Sequence, residues 1–329
     1  VDQDLIFVDN GTGTDAGQCT RVAPCASVQY AISVATPTRS HIVMAPGLYV
    51  QSNIDVGSAQ TSATAINIHG GNATLRMSPN NDGDIMIVSD VPTTIHDLTL
   101  EGNGLAGAAI ESSTASVTIY RTKFDGAGSR GILAGGDLVA HDIEIANTST
   151  AIALANSVST TGNLTLDRAI IHGAGVGILA TAANTRVAIS NTLIFDSQSY
   201  AMNLSGAAGR VSFSTIADSG TANGTQPIAI LCSNGLGLTI AGTIVWTPQA
   251  AGSLSIDGSC GLNSVIAGPF AVSGATNVDP GFVDETHRDY HLAAGSPARD
   301  VLDTGPPTDF EGDPRPQGPK FDIGADEAK

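Results

Sequence analysis

Thr93-Thr-Ile-His-Asp-Leu-Thr-Leu-Glu-Gly102 and Val117-Thr-Ile-Tyr-Arg-Thr-Lys-Phe-Asp-Gly126 follow one pattern: apolar-x-apolar-x-x-(small or apolar)-x-apolar-x-(Gly, Asn or Asp). The pattern returns at residues 138–147, 164–173 and 187–196, and weaker copies start at Ile66, Val211 and Leu238. Copies begin about 24 residues apart, the scale on which solenoid repeats recur. A second motif lies between them, at Ala109-Ile110, Gly131-Ile132, Ala151-Ile152, Gly177-Ile178, Ala201-Met202, Ala229-Ile230 and Ser255-Ile256. Alternation of period two, with turn-forming residues between runs, reads as short β-strands. One such segment cannot bury its own apolar face. Stacking the segments coaxially, at a strand spacing of roughly 4.8 Å, pairs each strand with its copies above and below and closes a shared interior. The leucine-rich consensus LxxLxLxxN is absent, and a propeller blade needs a longer period. The sequence therefore predicts an all-β chain, a right-handed parallel β-helix of about eight or nine coils.

The open ends of such a stack need covers. Residues 1–50 are expected to form an N-terminal cap and the first strand. Residues 26–35 are expected to form a capping helix: Val28, Ala31, Ile32 and Ala35 share one helical face, and Pro24-Cys25 suits the start. Residues 41–50 then carry the first strand and its turn. Residues 51–278 supply the coils, and residues 279–329, rich in Pro, Gly and Asp, are expected to wrap the opposite end. The whole chain, 1–329, reads as a single domain.

Composition agrees with short strands and tight turns. There are 38 glycines among 329 residues, and lysine occurs only at Lys123, Lys320 and Lys329. The net charge of −17 sets up a field that repels nucleic acid and anionic membranes, so neither is expected as a partner. No apolar run approaches the roughly 18 residues that span a bilayer. Four cysteines fall in two local pairs, Cys19 with Cys25 and Cys232 with Cys260. Three connectivities are open, and local pairing is the simplest. The spacing does not fit zinc, so disulfides and an oxidising, extracellular location are expected. A monomer is expected.

Phe7-Val-Asp-Asn-Gly-Thr-Gly-Thr-Asp15, Cys19, Pro24-Cys25 and Met44-Ala-Pro-Gly-Leu-Tyr49 resemble the opening segment of pectate-lyase-like parallel β-helix proteins. The tail resembles the bacterial choice-of-anchor Q group of that superfamily. The matching residues are Asp279-Pro-Gly-Phe-Val283, Asp289-Tyr-His-Leu292, Gly295-Ser-Pro-Ala298, Thr308-Asp-Phe-Glu-Gly312, Pro314-Arg315 and Asp322-Ile-Gly-Ala-Asp-Glu327. The resemblance implies a secreted or surface-tethered bacterial protein, and activity, where the superfamily has one, on polysaccharides.

Aligned repeats set side chains in columns. The fourth position stacks His96, Tyr120, His141, Asp167 and Ser190; the fifth stacks Asp97, Arg121, Asp142, Arg168 and Asn191. The fifth alternates in sign and reads as an ionic ladder between outward side chains. The same columns offer a uronate lyase or C5-epimerase its groups: Tyr120, His141 and Asp167 for proton transfer, with Arg121, Asp142 and Arg168 beside them. The Trp-Ile-Asp-His and Arg-x-Pro-x-x-Arg patterns of pectate lyases are absent, as is the Asp-Pro-His-Glu motif of alginate epimerases. A glycosidase would have only Asp142 and Asp167 as its carboxylate pair. Phe195, Tyr200 and Trp246 are candidate sugar-stacking rings. Two acidic loops, around Asp9 and Asp15 and around Asp309 and Asp313, are candidate Ca2+ sites, because hard oxygen ligands are dense there. Arg315 is expected to pair with Asp322 or Glu327 and lock the tail. The leading expectation is an extracellular or cell-surface β-helix module for structure, adhesion or glycan contact, and the alternative is the lyase or epimerase.

Overall fold

The computed structural model describes residues 4–51, 53–78, 86–102, 104, 107–154, 162–183, 185–220, 228–232, 237–247 and 254–329. The chain divides into two compact units, Val1–Gly162 and Asn163–Lys329. Each is built on parallel strand ladders, in which a strand pairs with its counterparts in the preceding and following coils.

In the first unit the predicted repeats lie in register. Thr93 pairs with Val117 and Val117 with Leu138, so Ile68, Ile95, Ile119 and Ala140 form one buried column. Leu75, Leu100, Phe124 and Ile145 form a second, and Ile54, Ile87, Ile110, Ile132 and Ile152 a third. The second unit repeats the arrangement. Leu166, Ile189, Val211, Ile240 and Leu262 align in one ladder, and Ile178, Met202, Ile230 and Ile256 in another. Three strands per coil thus face a common interior. Each buried Ile or Leu contributes about 1.5–3 kcal/mol by leaving water.

The two-residue spacer in the repeat is a corner. In Thr93–Glu101 buried positions alternate up to Ile95, then resume at Leu98. Between them Asp97 has φ 57°, a left-handed conformation that swings the chain onto the next sheet. The same position is left-handed at Arg121 (46°), Asp142 (55°), Arg168 (51°), Asn191 (45°) and Phe213 (47°). Asp and Asn tolerate this region, whereas other L-residues pay about 1–2 kcal/mol for it. One residue later, Thr122, Thr192, Ser214 and Thr243 are buried, and their hydroxyls donate to carbonyls two residues back, at Tyr120, Ser190, Ser212 and Ala241. The final Gly, Asn or Asp of the repeat is a second left-handed corner, at Gly126, Asn147, Gly173, Asp196 and Asp218.

Three expectations need correction. The first strand is Leu5–Val8, ahead of the helix, and it pairs with His41–Met44; the helix itself spans Val28–Ser33. Ser27 caps that helix, its hydroxyl accepting from Tyr30 N, and Val28, Ala31 and Ile32 are buried as the pattern required. The repeat expected to open at Val211 opens two residues earlier, because Gly209 pairs with Val187 and Leu238. A Cβ at Gly209 would sit 2.1 Å from Val187 O, so the position that should announce the repeat can carry no side chain. Finally, within the second unit the tail lies along the flank of the coils. Leu292, Ala298 and Ile323 pack with Ile244, Trp246 and Ile266; Tyr290 and Ala325 pack with Leu193 and Ala217. Strands Thr215–Ala217, Ile244–Trp246 and Ile266–Gly268 are consequently buried on both faces.

Both local disulfides form, Cys19–Cys25 and Cys232–Cys260. Among the described residues no helix is long and apolar enough to cross a membrane.

Candidate functional site

In the first unit the residue just before each corner is half-buried and faces outward, and here the strands assemble a row of rings. His69 pairs in register with His96, His96 with Tyr120, and Tyr120 with His141. His41, from the coil before, reaches diagonally, so that its Nδ1 and His69 Nε2 share a hydrogen bond of 3.0 Å. The His69 and His96 rings meet edge to face with centroids 4.1 Å apart, and Tyr120 stacks on His141 at 5.5 Å with planes 6° apart. His41 and His69 were not among the sequence candidates. The copy starting at Ile66 does place His69 at the fourth position, but two extra residues at its corner shift the register after His69 and weaken the match.

Electrostatics along the row are set by local partners. Burial, with His96 and His41 as neighbours, pushes His69 down to about 4, so it is neutral near pH 7. Arg121 donates from Nε and Nη2 to the two Asp97 oxygens at 2.6 and 2.9 Å, and His96 Nδ1 approaches Oδ2 at 2.7 Å. The Arg121 guanidinium, assisted by His96, holds the Asp97 carboxyl well below the usual carboxylate range. The Arg121–Asp97 rung of the expected ladder therefore exists. Both partners are solvated, which limits its stabilisation to about 0–1 kcal/mol.

In the second unit Asp167 is saturated. Its Oδ1 accepts from Ser190 Oγ at 2.7 Å and Asn191 Nδ2 at 2.9 Å, and its Oδ2 from Arg168 Nη1 at 2.7 Å. Arg168 thus pairs with its own neighbour in sequence. Asn191 is 2% exposed, against the expectation of an outward rung, and its amide is spent on Asp167.

The ring candidates separate. Phe195 is half-buried, stacked on His172 at 5.0 Å and against Tyr290 at 5.3 Å. Tyr200 is half-buried at the start of Tyr200–Leu204. Trp246 is corrected: its ring is buried under Leu292, Ala298 and Ile323 of the tail and lies against Gly268, so it offers no stacking face.

The carboxylates of the two acidic loops accept from N–H and O–H donors within the fold. Asp9 accepts from Gly11 N, Thr12 N and Thr12 Oγ1, which lowers its pKa. Asp15 accepts from Ala26 N, Ser27 N and Ser27 Oγ at the start of the helix. Asp309 is buried and accepts from Glu311 N, Asp313 N and Glu327 N, while Asp313 pairs with Lys329 Nζ at 2.8 Å. Among the described residues no three His, Cys, Asp or Glu side chains already converge as a metal site. Arg315 pairs with Glu327 at 3.5 Å, both side chains wholly buried, and also donates to the carbonyls of Asp322, Gly324 and Ala325. Asp322 spends its carboxylate on Asp300 N and Ala328 N.

A cavity of about 330 Å³ lies beside Phe7, Arg21 and Met44, and another of about 250 Å³ lies in the tail between His291, Glu311 and Asp326. Neither is lined by Tyr120, His141 or Asp167.

No known protein-family model matches the chain, and no curated protein sequence does. Among solved structures, the crystal structure of pectate lyase Pel9A matches over 99% of this chain and 96% of that one, with a TM-score of 0.58 and 13% identity. This likeness establishes the fold, the right-handed parallel β-helix, and nothing finer.

Proposed function

We propose that the chain is an extracellular β-helix module that contacts a glycan along the ring row of its first unit. The observation that carries this reading is the succession His69, His96, Tyr120 and His141 on consecutive coils, half-buried and in ring-to-ring contact within the pairs His69–His96 and Tyr120–His141. Flat rings offer stacking surfaces to sugar faces, and imidazole and phenol groups add hydrogen-bond donors and acceptors at their rims. The pectate-lyase-like fold is compatible with a polysaccharide ligand. Two disulfides support an oxidising, extracellular location. The single-domain, monomeric and surface-tethered readings, and the kinship of the tail to the choice-of-anchor Q group, belong to the same proposal.

A second reading, a polysaccharide lyase or C5-epimerase, has one observation in its favour: Tyr120 and His141 are in contact and suit proton transfer. Its two candidate cations are already engaged. Arg121 is committed to Asp97, and Arg168 to Asp167, so neither guanidinium is poised for a substrate carboxylate.

Calorimetry against neutral and uronate polysaccharides tests the module. Binding that weakens at least tenfold in Tyr120→Ala and His141→Ala is expected, without formation of unsaturated product. Binding unaffected by both substitutions would refute the placement. Rising ultraviolet absorbance from an unsaturated uronate would instead establish the lyase.

A further inference from the structure

The upper part of the ring row carries an arrangement that sugar contact does not require. His41 Nδ1 and His69 Nε2 stand 3.0 Å apart, and His96 meets the His69 ring from the next coil. Two imidazole nitrogens bound cis to one metal ion, with bonds of about 2.0–2.1 Å at angles of 90–109°, stand about 2.9–3.4 Å apart. The His41–His69 spacing falls in that window. In the metal-free structure one ring's lone pair points at the other nitrogen; an ion at about 2.0–2.1 Å from both would lie beside the N···N line, so binding would tilt both rings until their lone pairs converge on it.

His96 has the second feature of a metal ligand. Its Nδ1 is 2.7 Å from the Asp97 carboxylate, which is itself anchored by Arg121. A carboxylate on one ring nitrogen fixes the tautomer, leaves Nε2 with its lone pair, and raises its basicity. The rings do not yet surround a common point. His41 and His69 stand at chelating distance, and ion binding would have to draw in His96 as the third ligand.

We propose that His41, His69 and His96 form a binding site for a divalent transition ion that favours imidazole, Cu2+ or Zn2+, with Asp97 as the orienting carboxylate. Imidazole nitrogens suit these ions, whereas the all-oxygen ligand sets preferred by Ca2+ and Mg2+ are not offered here. The site shares His69 and His96 with the ring row but uses neither Tyr120 nor His141, and metal binding is measured without any glycan, so the two proposals fail or stand separately.

The test is titration of the metal-free full-length chain with CuCl2 or ZnCl2 by calorimetry, with electron paramagnetic resonance of the Cu2+ form. One ion per chain is expected, with a spectrum showing coupling to two or three nitrogens. His41→Gln and His69→Gln should each weaken binding at least thirtyfold. Asp97→Asn should weaken it by about 10–100-fold, as loss of an orienting carboxylate does elsewhere. His287→Gln, altering an exposed imidazole far along the chain, should leave it unchanged. Thermal melts in the absence of metal verify that each variant is folded, and His41→Gln decides the matter if His69→Gln is not. Absent binding, an oxygen-only copper spectrum, or equal affinity in the folded His41 and Asp97 variants would overturn the proposal.

Discussion

The phenol of Tyr290 donates to the buried carboxylate of Asp218 at 2.9 Å, joining the tail to a coil corner 72 residues earlier. Asp218 Oδ1 has no partner, and burial raises the pKa of this carboxyl. Tyr290→Phe leaves both oxygens of Asp218 unsatisfied and is expected to cost about 1–3 kcal/mol. Asp218→Asn keeps an acceptor for the phenol and removes a buried charge, so it should be neutral or stabilising. Urea unfolding of the two variants checks the contrast.

Arg315 is the tail's most demanding residue. Its guanidinium serves Glu327 and three carbonyls in a dry setting, over the ring of Phe213 at 5.4 Å. Breaking a buried pair by removing one partner costs about 3–5 kcal/mol. Arg315→Met should therefore destabilise on that scale. Arg315→Lys should also destabilise, because an ammonium cannot reproduce the fork. Differential scanning calorimetry reads both.

The left-handed corner residues give a third test. Phe213 holds φ at 47°. Gly reaches that region without strain, although Phe213→Gly also loses ring contacts. Arg121, at 46°, is exposed and loses only a surface ion pair, so Arg121→Gly is expected to lie within about 1 kcal/mol of the parent. A β-branched residue at the same place, Arg121→Val, should cost about 1–2 kcal/mol more than Gly. Equal chemical-denaturation midpoints for the two variants would contradict the corner assignment.

His291 makes stability depend on alkaline pH. Burial opposes its charge, but hydrogen bonds to Asp289 and Glu311 prevail and push it up to about 9. The unfolded value is about 6.5. A raised folded pKa means the contribution is full below about 6.5 and disappears as pH rises through about 9. Its partners are solvated, which reduces the effect to about 0.5–1 kcal/mol. The difference in urea midpoint between parent and His291→Gln should shrink steadily from pH 6 to pH 10.

The coil period was readable because its signal is chemical and local: Ile95, Ile119 and Ala140, or Ile110, Ile132 and Ile152, recur as apolar residues and stack in register. The function of the spacer was less readable. Asp97 and Arg121 look alternately charged, and one rung does pair, yet what they share is a left-handed backbone that residue type only weakly marks. Gly209 hid its repeat because the neighbouring coil excludes any side chain there. For the candidate site, Tyr120 and His141 follow from the alignment, while His41 does not, since it reaches His69 diagonally from outside the fourth position. The tail escaped altogether in its course. Its attachments run from backbone groups and buried carboxylates to distant corners, such as Gly324 N to Gly242 O and Ala325 N to Thr215 Oγ1, and such pairs leave no periodic trace.

Stacked coils exchange bonds only with the coil on either side, so in principle they can peel away one at a time, like sheets from a pad. The tail of the second unit touches Asp196, Asp218 and Gly242, which belong to three successive coils. It acts as a binding along the spine: no one of those layers can lift without tearing a seam shared with the others. Amide exchange in that stretch should then occur as a single slow class rather than as a gradient from one layer to the next.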